Sequence, residues 1–178
     1  MRQEIERIVH WSDPGPGGFY DDLGNPARQP HLVRDTAYAA DPNFLASPYA
    51  GFHVHPGMPR SSWDYIDGLY GTPITMHYTD LDPAARYKLR VVYAGDNDEA
   101  FVRLAAVVMP DAESNAREIE VHPLQPKPWP VRPVEFAVPP EATTGGELTL
   151  RWNSDPERGG PGRGCQIAEV WLMPTRGE

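Results

Sequence analysis

The sequence predicts an all-β protein: an antiparallel β-sandwich of the jelly-roll kind, a single domain over residues 1–178 with long N-terminal loops. Three observations carry that prediction. Tyr87, Leu89, Val91 and Tyr93 alternate with Lys88 and Arg90, the period of a strand with one buried face. That strand is bounded by turn signals, Asp82-Pro83 before it and Gly95-Asp96-Asn97 after it, and the arrangement recurs along the chain. The chain also carries 21 Pro and 16 Gly, scattered and not periodic, and no stretch has the spacing of an amphipathic helix of ordinary length.

The elements follow in order. Glu4–Trp11 reads as a short first strand with Ile8 and Val9 apolar. A long irregular segment then runs from Ser12 to about Arg60. It is punctuated by Asp13-Pro14-Gly15-Pro16-Gly17-Gly18 and Asp21-Asp22-Leu23-Gly24-Asn25-Pro26, with His31-Leu32-Val33 as a brief strand inside it. Phe19, Tyr20, Tyr38, Phe44, Tyr49 and Phe52 give this segment an apolar content that disordered linkers lack, so it is expected to pack on the sandwich. Ile74, Met76 and Tyr78 alternate with Thr75, His77 and Thr79, and Val102, Leu104, Ala106 and Val108 mark a strand after the Tyr87 one. Ile119 and Val121 mark another. Pro123–Pro133 holds five prolines and Trp129 and reads as an extended crossing, hostile to any central strand. Val134, Phe136 and Val138 alternate again, as do Leu148, Leu150 and Trp152. A Gly/Pro/Arg loop over Asp155–Gly164 leads to a last strand, Gln166–Met173. Roughly eight short strands separated by turns fit a sandwich or jelly roll.

Composition narrows the function classes. The formal charge is −9, from 25 Asp and Glu against 16 Lys and Arg, which disfavours nucleic acid and anionic membrane surfaces as partners. A neutral ligand or a cation suits that charge, as does simple solubility. Cys165 is the one cysteine, so no internal disulfide is expected, and its place beside the apolar run Ile167–Met173 predicts a small buried thiol. No basic-apolar-small leader opens the chain and no run approaches the ~20 apolar residues of a membrane span. The compartment stays open: cytosolic, or extracellular or periplasmic for a domain of a secreted enzyme.

Two phrases resemble a known family. Leu81-x-Pro83-x-x-x-Tyr87-x-Leu89-x-Val91 is similar to the opening of a mid-chain strand in galactose-binding-like and malectin-like β-sandwich domains. Gly145-Gly146-Glu147-Leu148-Thr149-Leu150-Arg151-Trp152 followed by Cys165-Gln166-Ile167-Ala168-Glu169-Val170-Trp171-Leu172 resembles their closing hairpin. The likeness spans the chain from about Ile74 onward, and the long N-terminal segment departs from it. It implies a carbohydrate-binding module, accessory to polysaccharide degradation, with a catalytic domain of a larger protein as a possible partner.

The candidate sites lie in the loops. Tyr49–Tyr70 crowds Phe52, His53, His55, Arg60, Trp63, Asp64, Tyr65 and Tyr70 into one region. Sugar recognition needs a flat aromatic face for the C–H face of a pyranose and planar Asp or Arg groups for its hydroxyls, because hydroxyls stripped of water require replacement partners. Trp63-Asp64-Tyr65 supplies both kinds. The competing reading makes Trp63 and Tyr65 core plugs under a loop and Asp64 a turn acceptor. His53 and His55 point the same way on extended backbone and can share a transition metal given a third ligand, but none of His10, His31, His77 and His122 stands at a spacing that recommends it. Asp21, Asp22 and Asn25 form an oxygen-rich loop suited to calcium, competing with a plain turn. The family resemblance adds Glu169, since similar modules hold a structural calcium between an N-terminal loop and an acid on the last strand. Placed between Ile167 and Trp171 on one face, Glu169 is expected to have a partner. Asp155–Arg163 has the glycine content of a phosphate loop without its Lys and Ser/Thr, which excludes nucleotide binding by that motif; Arg158 and Arg163 are expected to pair with local acids or touch an acidic sugar.

Catalytic motifs such as Gly-x-Ser-x-Gly, His-Glu-x-x-His and Cys-x-x-Cys are missing. The leading expectation is therefore non-catalytic glycan recognition through Arg60, Trp63, Asp64, Tyr65 and Tyr70. The alternatives are a metal-dependent glycan-active enzyme using His53 and His55, and a structural β-domain that packs on a catalytic partner.

Overall fold

The computed structural model describes residues 10–33, 51–52, 63–69, 72–95, 100–108, 116–155, 157 and 163–175, with backbone alone for 51–52, 69 and 163–164. Ten strands are described: β1 (Phe19–Asp22), β2 (Gly51–Phe52), β3 (Asp64–Leu69), β4 (Ile74–Tyr78), β5 (Arg86–Tyr93), β6 (Phe101–Val108), β7 (Arg117–Pro126), β8 (Pro133–Ala137), β9 (Leu148–Ser154) and β10 (Arg163–Thr175). They form a six-stranded sheet in the order β2-β3-β10-β5-β8, with β1 also beside β10, and a four-stranded sheet in the order β4-β9-β6-β7. Every pairing is antiparallel, so the fold is the predicted all-β sandwich. Among the described residues the helical content is two 3₁₀ turns, Pro26–Arg28 and Pro140–Ala142, and no helix is long and apolar enough to cross a membrane.

The alternation read from the sequence places the main core. Tyr87, Leu89, Val91 and Tyr93 of β5 meet Ile74, Met76 and Tyr78 of β4, Val102, Leu104 and Ala106 of β6, and Leu148, Leu150 and Trp152 of β9. Burying each of the larger side chains contributes about 1.5–3 kcal/mol, and this is what holds the sheets face to face. The polar atoms inside are paired. Trp152 Nε1 donates to Tyr93 Oη (3.0 Å), the Tyr93 hydroxyl lies 2.6 Å from His122 Nε2, and His122 Nδ1 lies 2.8 Å from the Pro123 carbonyl. A neutral imidazole protonated at Nδ1 satisfies all three contacts. Cys165 is buried as predicted, and burial pushes its thiol well above the ordinary value.

Five segments depart from the expected elements. Phe19–Asp22, read as part of an irregular segment, is β1, and Asp64–Leu69, read as a loop, is β3 between β2 and β10. In both, an acid occupies an inward or buried position and breaks the apolar alternation that marks a strand: Asp21 is fully buried in β1 and Asp67 is 1% exposed in β3. The strand before the prolines continues through Pro123 and Pro126 as part of β7. Among the described residues it pairs only with β6, so it is an edge strand there and tolerates the missing N–H groups. His31-Leu32-Val33 makes one bridge, Leu32 to Met76, and no named strand. Of the expected strand Glu4–Trp11, residues 4–9 lie outside the described residues, and His10 and Trp11 are in a turn.

β10 also breaks its own alternation. Its register against β5 slips between Ile167 and Glu169. Before and after this bulge Ile167, Val170 and Leu172 face the main core, while Ala168 and Trp171 join a second cluster on the outer face of the six-stranded sheet. Glu169 therefore does not share a face with Ile167 as its spacing suggested. The extra residue, Ala168, shifts the alternation by one position and turns the Glu169 carboxylate toward Trp11 and Tyr20 of the outer cluster.

Candidate functional site

The site is assembled where two strands compete for one edge of β10. β1 pairs with Glu169–Leu172 and β3 pairs with Arg163–Ile167, both antiparallel to β10, so they run in the same direction end to end along that edge. They meet at Ala168, whose carbonyl accepts from the Leu23 N–H at 2.8 Å. There the chain after β1 turns directly over the start of β3. A Cβ on Gly24 would lie 2.5 Å from the Asp64 carbonyl oxygen and 2.6 Å from Asp64 Cβ, so only glycine allows this approach. The packing brings Asp22 within electrostatic reach of Asp64, joining two segments that the sequence separates by some forty positions.

Local structure then adds a cation. Asn25 Oδ1 accepts from the Ala27 N–H (3.1 Å) and Pro26 opens a 3₁₀ turn, which sets Arg28 at its end. The Arg28 Nη1 lies 3.8 Å from Asp22 Oδ2, and its guanidinium sits 5.3 Å from the centroid of the Tyr20 ring. Burial raises the Asp22 carboxyl above its ordinary value. Arg28 and the Gly24 N–H pull it back down, and Asp64 pushes it up again. Tyr20 and the half-buried Trp63 both pack against the outer cluster of Tyr65, Ala168 and Trp171, which sets them in one patch with the exposed Asp64 and the Asp22–Arg28 pair.

A rigid aromatic layer supports the patch. Tyr20 Oη and Trp11 Nε1 both donate to Glu169 Oε1 at 2.7 Å, and Trp171 Nε1 donates to the Trp11 carbonyl at 3.0 Å. The Trp11 and Trp171 rings meet edge to face with centroids 5.4 Å apart, and Tyr20 lies 5.1 Å from Trp171. Burial, with the Glu169 charge, holds the Tyr20 phenol well above its ordinary value, so it serves as a donor across the accessible pH range.

The predicted residues divide as follows. Trp63 and Asp64 belong to the patch. Tyr65 is 1% exposed in the outer cluster, so its ring faces protein and is closed to a ligand. His53, His55, Arg60 and Tyr70 lie outside the described residues. The four oxygen-bearing residues expected to surround calcium are not brought to one point. Asp21 faces inward, where it accepts from the His31 backbone N–H (3.2 Å), from the His31 Nδ1 side (2.9 Å) and from Tyr78 Oη (3.2 Å). Asn25 caps the 3₁₀ turn, Glu169 holds Trp11 and Tyr20, and Asp22 alone reaches the patch. The strand period explains the split: adjacent residues of β1 point to opposite faces. Among the described residues no group of three or more His, Cys, Asp or Glu side chains is close enough to share a metal.

Sequence reasoning missed Tyr20, Arg28 and Trp11. Tyr20 and Asp22 share one face of β1, a signal visible once Phe19–Asp22 is read as a strand. Arg28 required knowing where the 3₁₀ turn points. No family model and no curated protein sequence matches this chain.

Proposed function

We propose that this chain is a non-catalytic carbohydrate-binding β-sandwich of the galactose-binding-like type, accessory to polysaccharide degradation. The observation that supports the reading is the convergence of Trp63, Asp64 and Asp22 with Arg28 and Tyr20 on one patch. A partly exposed indole offers a flat surface for the C–H face of a pyranose. The carboxylates accept from vicinal hydroxyls and the guanidinium donates to them, which replaces the water those hydroxyls lose. The supporting layer of Trp11, Trp171 and Glu169 preorganises these groups and reduces the entropy lost on binding.

Affinity electrophoresis through gels containing neutral plant and algal polysaccharides tests the reading. Retention is expected for the native protein, with a clear loss in Asp64→Ala. That substitution lies at an exposed position, so the fold survives it. Trp63→Ala is expected to abolish retention, with circular dichroism checking its packing role. No retention on any polysaccharide, or retention unchanged in both variants, rejects the reading.

A further inference from the structure

A concave surface that shares no lining residue with the patch lies where the start of β5, the end of β8 and the end of β10 meet. It is a groove of about 530 Å³, within the size range of small-ligand sites. Val138 and Pro140 contribute to its apolar part, and Arg86, Lys88, Glu135 and Thr175 supply its polar groups. The pairing of Lys88 with Ala137 and Arg90 with Glu135 in the β5–β8 ladder puts these side chains on the outer face of the sheet.

The charges there are unevenly used. Glu135 accepts from Lys88 Nζ at 3.0 Å and from Arg90 Nε and Nη2 at 2.9 and 2.6 Å. These bonds hold its carboxyl below the ordinary value, so it is ionised and committed to both cations. Arg86 is exposed, and among the described residues it has no carboxylate partner. In a chain of formal charge −9 the groove is thus lined by two cations, Arg86 and Lys88, and one carboxylate, and among the described residues Lys88 is paired with that carboxylate while Arg86 is not. A guanidinium fork matches a planar carboxylate or a sulfate with two parallel hydrogen bonds, which an ammonium cannot do. The Thr175 hydroxyl donates to the Arg86 carbonyl at 3.2 Å and keeps its oxygen lone pairs to accept from a neutral hydroxyl beside that anion.

We propose that this groove is a second saccharide subsite, selective for an acidic sugar bearing a carboxylate or sulfate, with Arg86 as its anion-recognising residue. The assignment rests on the glycan-binding reading above for the sugar body, and on Arg86 and the groove alone for the acid. Isothermal titration with oligogalacturonate, a sulfated galacto-oligosaccharide, a neutral galacto-oligosaccharide and hexaglutamate tests it. At low salt, at least one of the two acidic oligosaccharides is expected to bind. Arg86→Ala should weaken that binding about two- to fivefold, the range for an exposed ion pair. Salt of about 0.5 M should weaken it similarly, since screening then acts within a few ångströms. Arg86→Ala should leave retention on neutral polysaccharide unchanged, and Asp64→Ala should leave acidic-sugar binding unchanged.

Unaltered acidic-sugar affinity in Arg86→Ala, or no binding of either acidic oligosaccharide, overturns the subsite. So does hexaglutamate binding with equal affinity and equal dependence on Arg86, because the groove would then read an anion without a sugar. Loss of acidic-sugar binding in Asp64→Ala but not in Arg86→Ala overturns the groove and leaves the patch standing. Arg86-dependent binding with no neutral retention does the reverse.

Discussion

Replacing Gly24 with alanine tests whether the patch is built by the collision of β1 and β3. The added Cβ would sit 2.5 Å from the Asp64 carbonyl oxygen, 2.6 Å from its carbonyl carbon and 2.6 Å from its Cβ. Ordinary carbon contacts begin near 3.5 Å, so one strand end must retreat by about 1 Å. The obstacle is backbone on both sides, and no rotamer change relieves it. Overpacking of this kind costs about 1–3 kcal/mol, offset by about 0.4–1 kcal/mol from the smaller entropy of the unfolded chain. The net loss of about 1–2 kcal/mol lowers Tm by roughly 2–8 °C in a domain of this length. Gly145→Ala is the matched control: nothing lies within 4 Å of its added Cβ and its φ is outside the left-handed range. It should leave Tm unchanged or raise it slightly. Differential scanning calorimetry of both variants measures the stability effect, and affinity electrophoresis reads the patch, where Gly24→Ala should weaken retention through the displaced Asp64. Equal Tm for the two variants, with native retention in both, would refute the role assigned to the close approach.

Two other outcomes follow from the buried polar groups. Tyr20→Phe removes a donor to Glu169 Oε1, and chemical denaturation should show a loss of about 1.5–3 kcal/mol, the range for a hydrogen bond to a charged group; a loss below about 0.5 kcal/mol would show that this oxygen is satisfied without Tyr20. Burial lowers the His122 pKa below its ordinary 6.5, so between the folded and unfolded values the unfolded chain binds the proton and the folded chain does not. Stability should therefore fall as pH drops below 6.5, by at most about 1.4 kcal/mol per pH unit from this group, and denaturation of His122→Gln across the same range should lack that part of the slope.

Legibility tracked the regularity of burial. β4, β5, β6 and β9 each put every second residue into one core, so their period could be read directly. β1 and β3 could not be read that way, because Asp21 and Asp67 occupy buried positions that only tertiary partners make tenable. His31 and Tyr78 bind the first, and Gln166 Nε2 donates to the second at 3.0 Å. The bulge at Ala168 and Glu169 was equally silent, since Ile167-Ala168-Glu169-Val170 reads as unbroken alternation with an acid in it. Trp63 and Asp64 were recognised by residue type alone, a signal that could not separate them from the buried Tyr65 beside them.

By itself the sequence determined the class of fold, the identity of most core strands, the buried cysteine and the residue types suited to a polar ligand. These depend on period, turn chemistry and composition, all of which are local. Tertiary structure decided which face each acid takes and which distant residues share a surface. It sent Asp21 inward and Asp22 outward, bent β10 so that Glu169 meets Trp11 and Tyr20, and seated Gly24 on Asp64. Those outcomes depend on two strands meeting at one residue of a third, a contact that no spacing along the chain encodes.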